Sequence, residues 1–339
     1  MNNGSTQNYS GLLSRILPIL RCPTCRSHLK ASDGGVACGG CGRVFPSIGN
    51  VFRFVEPSNY ANSFGFQWTH FAKTQLDDAE SVQSELDFRE RTGLTPEDLA
   101  GKLVLDVGCG MGRFADIATR WGAFVVGVDL SRAAEVAAQN LKDREAVFFQ
   151  ADVFALPFAP ESFDYIYSIG VLHHTPDCER AFKVLPALLK PGGTIAIWLY
   201  SGYNKWYRMS DIYRHATSRM NTRLLLGLCQ ISRPLYHVHR VLARVPVVGS
   251  PISGALRFLL PTNQSPYPTR RVLNTFDWYS PKYQSKHTYE EVFRWFEDCG
   301  LGCLCVIKQP VSVRGTRPRR ENQGFSVSLE AEGVSQAEK

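Results

Sequence analysis

The order strand, glycine turn, helix in KLVLDVGCGMGRFADIATRWG, from Lys102 to Gly122, restricts what this chain can fold into more than any other feature. An apolar run that ends in closely spaced glycines and is followed by a helical period is the start of a βαβ unit. The alternation continues with VVGVDLS as a second strand, AAEVAAQNLK as a helix, AVFFQAD and SFDYIYS as the third and fourth strands, a helix near AFKVLPALLK, and TIAIWLY as a fifth strand. Such alternation predicts an α/β fold with a doubly wound, Rossmann-like parallel sheet. Ligands of these sheets sit at the carboxyl ends of the strands, where the glycine turn lies. The dinucleotide pattern GxGxxG asks for a third glycine where this chain has Arg113, so the turn suits NAD imperfectly.

LDVGCGMGRF, the acidic end of VVGVDLS, the QAD of Gln150 to Asp152 and SFDYIYSIGVLHH together resemble class I S-adenosylmethionine-dependent methyltransferases of the small-molecule, type 11-like kind. The resemblance covers the core from Lys102 to Tyr200, and HTYEEVFRWFEDCGLGCLCVI matches the last helix and strands, one of them antiparallel. It implies S-adenosyl-L-methionine as cofactor. Gly108, Gly110 and Gly112 would let the backbone approach its amino acid part, where a side chain would collide. Asp106 would receive its ammonium, and Asp129, at the end of the second strand, both ribose hydroxyls. Asp152 would accept the adenine amino group, with Val153 and Leu130 packing the ring, and Ser168 on the fourth strand completes the cofactor set. Each acid taken singly is as much at home as a helix cap or turn residue; their joint register favours the binding roles.

His173 and His174, in VLHHTPD, follow the fourth strand on the side that faces the transferred methyl in such folds. Neighbouring side chains diverge, so both cannot point into one pocket. His173 is the candidate base or substrate contact, and His174 is assigned to the turn before Pro176. No nearby carboxylate or cysteine pattern completes a metal site there. The same VLHH recurs in the family across different substrates, which leaves a structural role open for both.

Upstream, CPTC (Cys22 and Cys25) and CGGC (Cys38 and Cys41) have the spacing of two metal knuckles, resembling a Trm112-like zinc ribbon. Four thiolates give Zn²⁺ a closed tetrahedral set and leave no place for water, so the expected metal is structural. Redox CxxC pairs or reduced core cysteines are the competing reading, and His28 is a spare ligand in the loop. GRVFPSIGNVFRFVEP then reads as short strands that close the ribbon near Pro57.

The parts outside the core should carry acceptor specificity. NYANSFGFQWTHFAKTQLD is read as a lid over the cofactor with Tyr60, Phe64 or Trp68 near the cleft, or as an ordinary helix packed on the core. After the fifth strand comes a basic insert in which, up to Arg271, Lys205, Arg208, Arg214, Arg219, Arg223, Arg233, Arg240, Arg244, Arg257, Arg270 and Arg271 face only Asp211. In RLLLGLCQISRPLYHVHRVLARVPVVG the arginines alternate with apolar residues at near-helical spacing, which suits basic amphipathic helices. An anionic substrate, an anionic membrane surface and RNA are its candidate partners, against a solvated helical cap. Asp277, Trp278, Tyr279, Tyr283 and His287 are candidates to line the acceptor pocket.

The resulting division is a zinc-ribbon module (1–57), lid and linker (58–101), cofactor core (102–200), basic helical insert (201–285) and closing helix and strands (286–330). With 44% hydrophobic and 20% charged residues, most of the chain should fold, leaving only GVSQAEK frayed. The N-terminus lacks the long apolar stretch of a signal peptide, and no apolar run approaches the roughly 18 residues of a membrane span. A reducing, cytoplasmic setting is expected, peripheral at a membrane if the insert docks there. The function expected is methyl transfer to a small-molecule or lipid- or glycan-linked acceptor, at oxygen. An RNA methyltransferase and a non-catalytic cofactor-binding or zinc-ribbon interaction protein are the alternatives.

Overall fold

The computed structural model describes residues 11–56, 59–77, 82–203 and 208–319. Pro57, Lys205 and the GVSQAEK tail lie outside the described residues. The strands, in chain order, are β1 (Leu29–Ser32), β2 (Gly35–Cys38), β3 (Val44–Ile48), β4 (Val51–Arg53), β5 (Leu103–Val107), β6 (Phe124–Asp129), β7 (Ala146–Gln150), β8 (Phe163–Ile169), β9 (Leu189–Trp198), β10 (Gly302–Val306) and β11 (Ser312–Thr316).

All of them join one sheet in the order β1-β2-β3-β4-β7-β6-β5-β8-β9-β11-β10. The stretch from β4 to β9 is parallel, and β11 runs antiparallel to β9 and to β10, as the sequence pattern leads one to expect. The sheet is mixed but mostly parallel, with helices on both faces. Every residue of β7 is buried, and all but one of β5 and of β6, as strands covered on both sides require.

Two features differ from the sequence pattern. The helix expected through AFKVLPALLK ends at Lys183, and a separate 3₁₀ turn, Pro186–Leu188, follows with the proline in its first turn. Pro186 has no N–H to continue the α-helix. The cysteine-bearing strands, for their part, do not form a bead apart from the core. β4 pairs in parallel with β7, Val51 opposite Phe148, and Ile16, Leu20, Phe45 and Phe52 belong to the same buried cluster as Leu105, Phe149 and Phe158. The Arg26 guanidinium donates to the carbonyls of Leu156 (2.9 Å) and Phe158 (2.6 Å), fixing the knuckle to the loop after β7.

A further, smaller core covers the carboxyl side of the sheet. Phe71, Leu225, Leu226, Val272, Leu273 and Phe276 pack together there, with Phe66 and Trp68 against them. This joins the helix Asn62–His70 to the insert helices Thr222–Cys229 and Pro268–Tyr279, so the aromatic segment and the insert close over the same end of the strands.

Candidate active site and metal centre

A cleft of about 730 Å³ opens at the carboxyl ends of the parallel strands. Its floor is the turn after β5. The Gly108 and Cys109 amides donate to the Val128 carbonyl (2.7 and 3.0 Å), pinning the turn to β6. Gly108 and Gly110 have φ of 82° and 52°, the left-handed region that glycine enters without penalty. A Cβ on Gly108 would lie 2.3 Å from Val171, and one on Gly110 3.1 Å from the Trp68 indole nitrogen. Gly108 therefore needs glycine for shape as well as for backbone, whereas at Gly110 the backbone requires it and the Trp68 indole would have to give by a few tenths of an ångström.

Asp129 ends β6 in the cleft wall. Its Oδ2 accepts from the Gly110 amide (3.0 Å) and its Oδ1 from the Ser131 amide (2.8 Å) and hydroxyl (2.7 Å). Burial raises its pKa, and those three donors oppose the rise. Leu130, Val153, Gly108 and Gly110 share the wall. So do Tyr60, Phe64 and Trp68, which close the cleft from the aromatic segment, and Asp277 and Trp278 from the insert.

Asp106, Gly112, Asp152, Ser168, Tyr279, Tyr283 and His287 lie outside that wall. Asp106 is 3% exposed beneath the turn, with Oδ2 unpartnered; burial pushes its pKa up to about 8 against the pull of the Tyr167 hydroxyl. Gly112 meets a neighbouring helix instead: a Cβ there would sit 2.6 Å from Leu141, so close helix packing requires this glycine. Asp152 caps the turn Val153–Ala155, accepting from the Phe154 amide at 3.0 Å. The buried Ser168 hydroxyl donates to the Val107 carbonyl (2.9 Å) and ties β8 to β5. The Tyr279 hydroxyl donates to the Pro261 carbonyl (2.7 Å), Tyr283 sets its ring edge-on to Tyr60, and His287 bonds Ser285 (2.7 Å) in a separate depression.

The two histidines exchange the places expected of them. His174 lines the cleft, whereas His173 is 0% exposed, has neither ring nitrogen partnered, and stacks on the Tyr200 ring with centroids 4.0 Å apart. The 3₁₀ turn Leu172–His174 rotates the first imidazole inward and the second toward the cavity. The His174 Nδ1 lies 3.0 Å from the Tyr283 carbonyl. A carbonyl only accepts, so Nδ1 carries the proton and Nε2 the lone pair. Burial lowers the His174 pKa and Asp277 opposes the shift. Asp277 in turn accepts from the Tyr200 hydroxyl (2.7 Å) and the Gln67 amide (3.3 Å).

At another part of the wall Arg91, Arg113 and Arg270 stand around one carboxylate, Asp87. Asp87 pairs with Arg91 (3.1 Å) and with Arg113, whose pKa burial lowers to about 10. Arg91 also lies over the Trp198 ring, 4.5 Å from its centroid. Two guanidiniums on one carboxylate, with a third beside them, leave net positive charge that an anionic group can meet. Sequence reasoning missed Arg91 and Asp87 because they precede the core in a charged helix, Gln83–Thr92, with no motif. The signal for Arg113 was available: it stands where the dinucleotide pattern has glycine.

The cysteines form a second site. The sulfurs of Cys22, Cys25, Cys38 and Cys41 all lie within 4.8 Å of one another, with Cys22 to Cys41 at 3.7 Å and Cys25 to Cys38 at 3.3 Å. A disulfide would need about 2.05 Å. A tetrahedron with metal–sulfur bonds of about 2.3 Å has edges of about 3.8 Å, which fits the spacing. The Gly40 and Cys41 amides point at the Cys38 sulfur (both 3.4 Å), as they do when a thiolate is held in a knuckle. His28 is not part of this cluster.

The glycine turn after β5 and the acid that ends β6 lie together at the carboxyl side of a mostly parallel sheet, and residues 105–197, which carry both, match the methyltransferase domain family. The chain is 35% identical over 159 residues to the methyltransferase GfsG of Streptomyces halstedii, covering 44% of this chain and 53% of that protein. It is 31% identical over 185 residues to a sterol 24-C-methyltransferase of Schizosaccharomyces pombe (51% and 46%). With a ubiquinone biosynthesis O-methyltransferase of Coxiella burnetii it shares 38% over 100 residues (29% and 43%). The chain spans about half the length of the curated relatives it matches, and their names include both carbon and oxygen acceptors.

Proposed function

We propose that the protein transfers a methyl group from S-adenosylmethionine to a small-molecule or lipid- or glycan-linked acceptor, at an acceptor oxygen. The observation that carries this reading is the convergence on one cleft of the glycine turn, Asp129 and a buried, neutral His174 whose Nδ1 is tied to a carbonyl. The glycine turn and Asp129 suit the amino acid and ribose parts of the cofactor, and Asp106, buried beneath the turn with Oδ2 unpartnered, would give up its proton to meet the ammonium. When bound, the cofactor supplies an electrophilic methyl on a sulfonium.

The chain contributes position and a base. An alcohol or phenol must lose its proton as it attacks, and His174 Nε2 has the lone pair to take it. Asp277 stabilises the imidazolium that results, and Tyr200 and Gln67 hold Asp277 in place. Tyr60, Phe64 and Trp68 exclude water and align the acceptor with the methyl. We assign Zn²⁺ to the four cysteines as a structural ion, because a closed set of four thiolates leaves no position for substrate.

The test is to incubate the protein with methyl-labelled cofactor and separate lipid, small-metabolite and RNA fractions. Base-stable label in the first two supports the reading. Label in RNA alone, for which the basic insert and the ribbon-like cysteine module argue, replaces it with the RNA alternative. No cofactor binding at all leaves a zinc-ribbon interaction protein.

A further inference from the structure

The basic insert is built inside out. Between residues 212 and 276 there are nine arginines and no aspartate, glutamate or lysine. Fourteen of the twenty large apolar side chains exposed among the described residues also fall between Ile212 and Tyr267. Leu224 and Leu228 repeat at i, i+4 on the helix Thr222–Cys229, and Val238 and Val241 at i, i+3 on the helix Ser232–Leu242. All four are exposed, and Val247, in the turn that follows, is 93% exposed. The helix Thr222–Cys229 buries Leu225 and Leu226 on its other side, but the buried positions of the helices Ser232–Leu242 and Gly249–Leu259 are polar or small. His239 meets the Ser253 hydroxyl at 3.1 Å, and a Cβ on Gly249 would fall 1.9 Å from the Leu242 carbonyl oxygen. The helices Ser232–Leu242 and Gly249–Leu259 thus touch through His239, Ser253 and Gly249 and turn valine, leucine and isoleucine outward.

Three of the arginines are engaged. Arg214 pairs with Asp211 (2.8 Å), Arg271 is buried against the Ser265 and Pro266 carbonyls, and Arg270 lines the cleft. Arg219, Arg223, Arg233, Arg240, Arg244 and Arg257 are exposed, and no carboxylate among the described residues forms an ion pair with them. Helices that present apolar side chains and arginines together, with no acid, suit the boundary of an anionic bilayer. There the apolar groups enter the acyl region and the guanidiniums meet phosphates.

We propose that the insert docks the protein on an anionic membrane surface. A second copy is disfavoured as the occupant, since two such faces would oppose six uncompensated arginines to six. RNA would neutralise the arginines but leave the valines and leucines uncovered. The docking face continues into the cleft: Tyr267, 61% exposed, belongs to its wall together with Arg270 and Asn274. An acceptor dissolved in the bilayer therefore reaches the cleft past Tyr267; this last step rests on the methyl-transfer reading, while the docking stands without it.

The full chain is floated with vesicles of phosphatidylcholine alone and of phosphatidylcholine with phosphatidylglycerol. Binding to the anionic vesicles is expected to be at least about tenfold stronger and to fall as salt rises. Val241→Asn with Ile252→Asn should weaken it about tenfold, and Arg240→Gln with Arg244→Gln, which leaves four of the six arginines, should reduce the preference for anionic lipid about tenfold or more. Cofactor binding, measured calorimetrically on the same samples, should stay the same, which separates this proposal from the enzymatic one. Equal binding to both vesicles, ribonuclease-sensitive retention on RNA without flotation, or a dimer that Val241→Asn dissociates would each overturn it.

Discussion

Asp129→Ala isolates the part of the cleft on which the cofactor reading depends. The carboxylate already accepts three hydrogen bonds from the chain, from Gly110 and twice from Ser131, so it is fixed before any ligand arrives. Of the about four lone-pair sites of a carboxylate one stays open for a ribose hydroxyl, and a second hydroxyl could only take the place of the Ser131 hydroxyl, with little net gain. A hydrogen bond to a charged acceptor contributes about 1.5–3 kcal/mol. At about 1.4 kcal/mol per tenfold, calorimetry should find S-adenosylmethionine bound about 10 to 10² times more weakly. Ser131→Ala is the control, since it removes one internal donor and no ligand contact; it should cost less than about tenfold. A melting curve for each variant shows whether the turn after β5 survives. If folded Asp129→Ala binds within about threefold of the parent, the ribose does not sit at the end of β6 and the assignment of the cleft fails.

Three further outcomes follow from the site. His174→Phe should abolish turnover while keeping cofactor binding, whereas His173→Phe should keep both and raise stability by about 1 kcal/mol, because it replaces a buried ring with two unpartnered nitrogens; turnover lost in His173→Phe alone would reverse the roles. Folded Asp106 holds its proton up to about pH 8, whereas in the unfolded chain the carboxyl releases it near about pH 4. In that window the folded state binds the extra proton, so the melting temperature should fall as pH rises and fall less in Asp106→Asn; identical slopes would count against the unpaired carboxylate. The protein should contain about one zinc per chain, and Cys25→Ser should lose the metal and lower the melting temperature; an unchanged metal content would point to ligands other than these cysteines.

The alternating core was legible in the sequence because each strand is bounded by turn glycines or aspartates and each helix has a clear period. The cysteine cluster was equally plain, since two CxxC pairs can converge only through a short hairpin. Directions of side chains were less accessible. VLHH looks the same whether it is strand or 3₁₀ turn, and only the turn turns His174 rather than His173 toward the cleft. Asp152 and Ser168 satisfy neighbouring backbone groups outside the cleft wall, as short polar residues commonly do, and spacing alone cannot separate that from ligand contact. Arg91, Asp87, Gln67 and Tyr200 come from four separate stretches, so their meeting depends on how the aromatic segment and the insert fold over the sheet.

The pairing of β4 with β7 would give a metal held by the four cysteines an importance remote from the chemistry. β7, AVFFQ, carries no charge and buries every residue, and the ribbon occupies its outer hydrogen-bonding side. Stripped of that cover it would be a bare edge strand, apolar on both faces, of the kind that recruits further chains into intermolecular sheet. Chelation should therefore announce itself first as turbidity and thioflavin-positive aggregates rather than as a loss of helix, with the cysteine cluster acting as the guard of solubility.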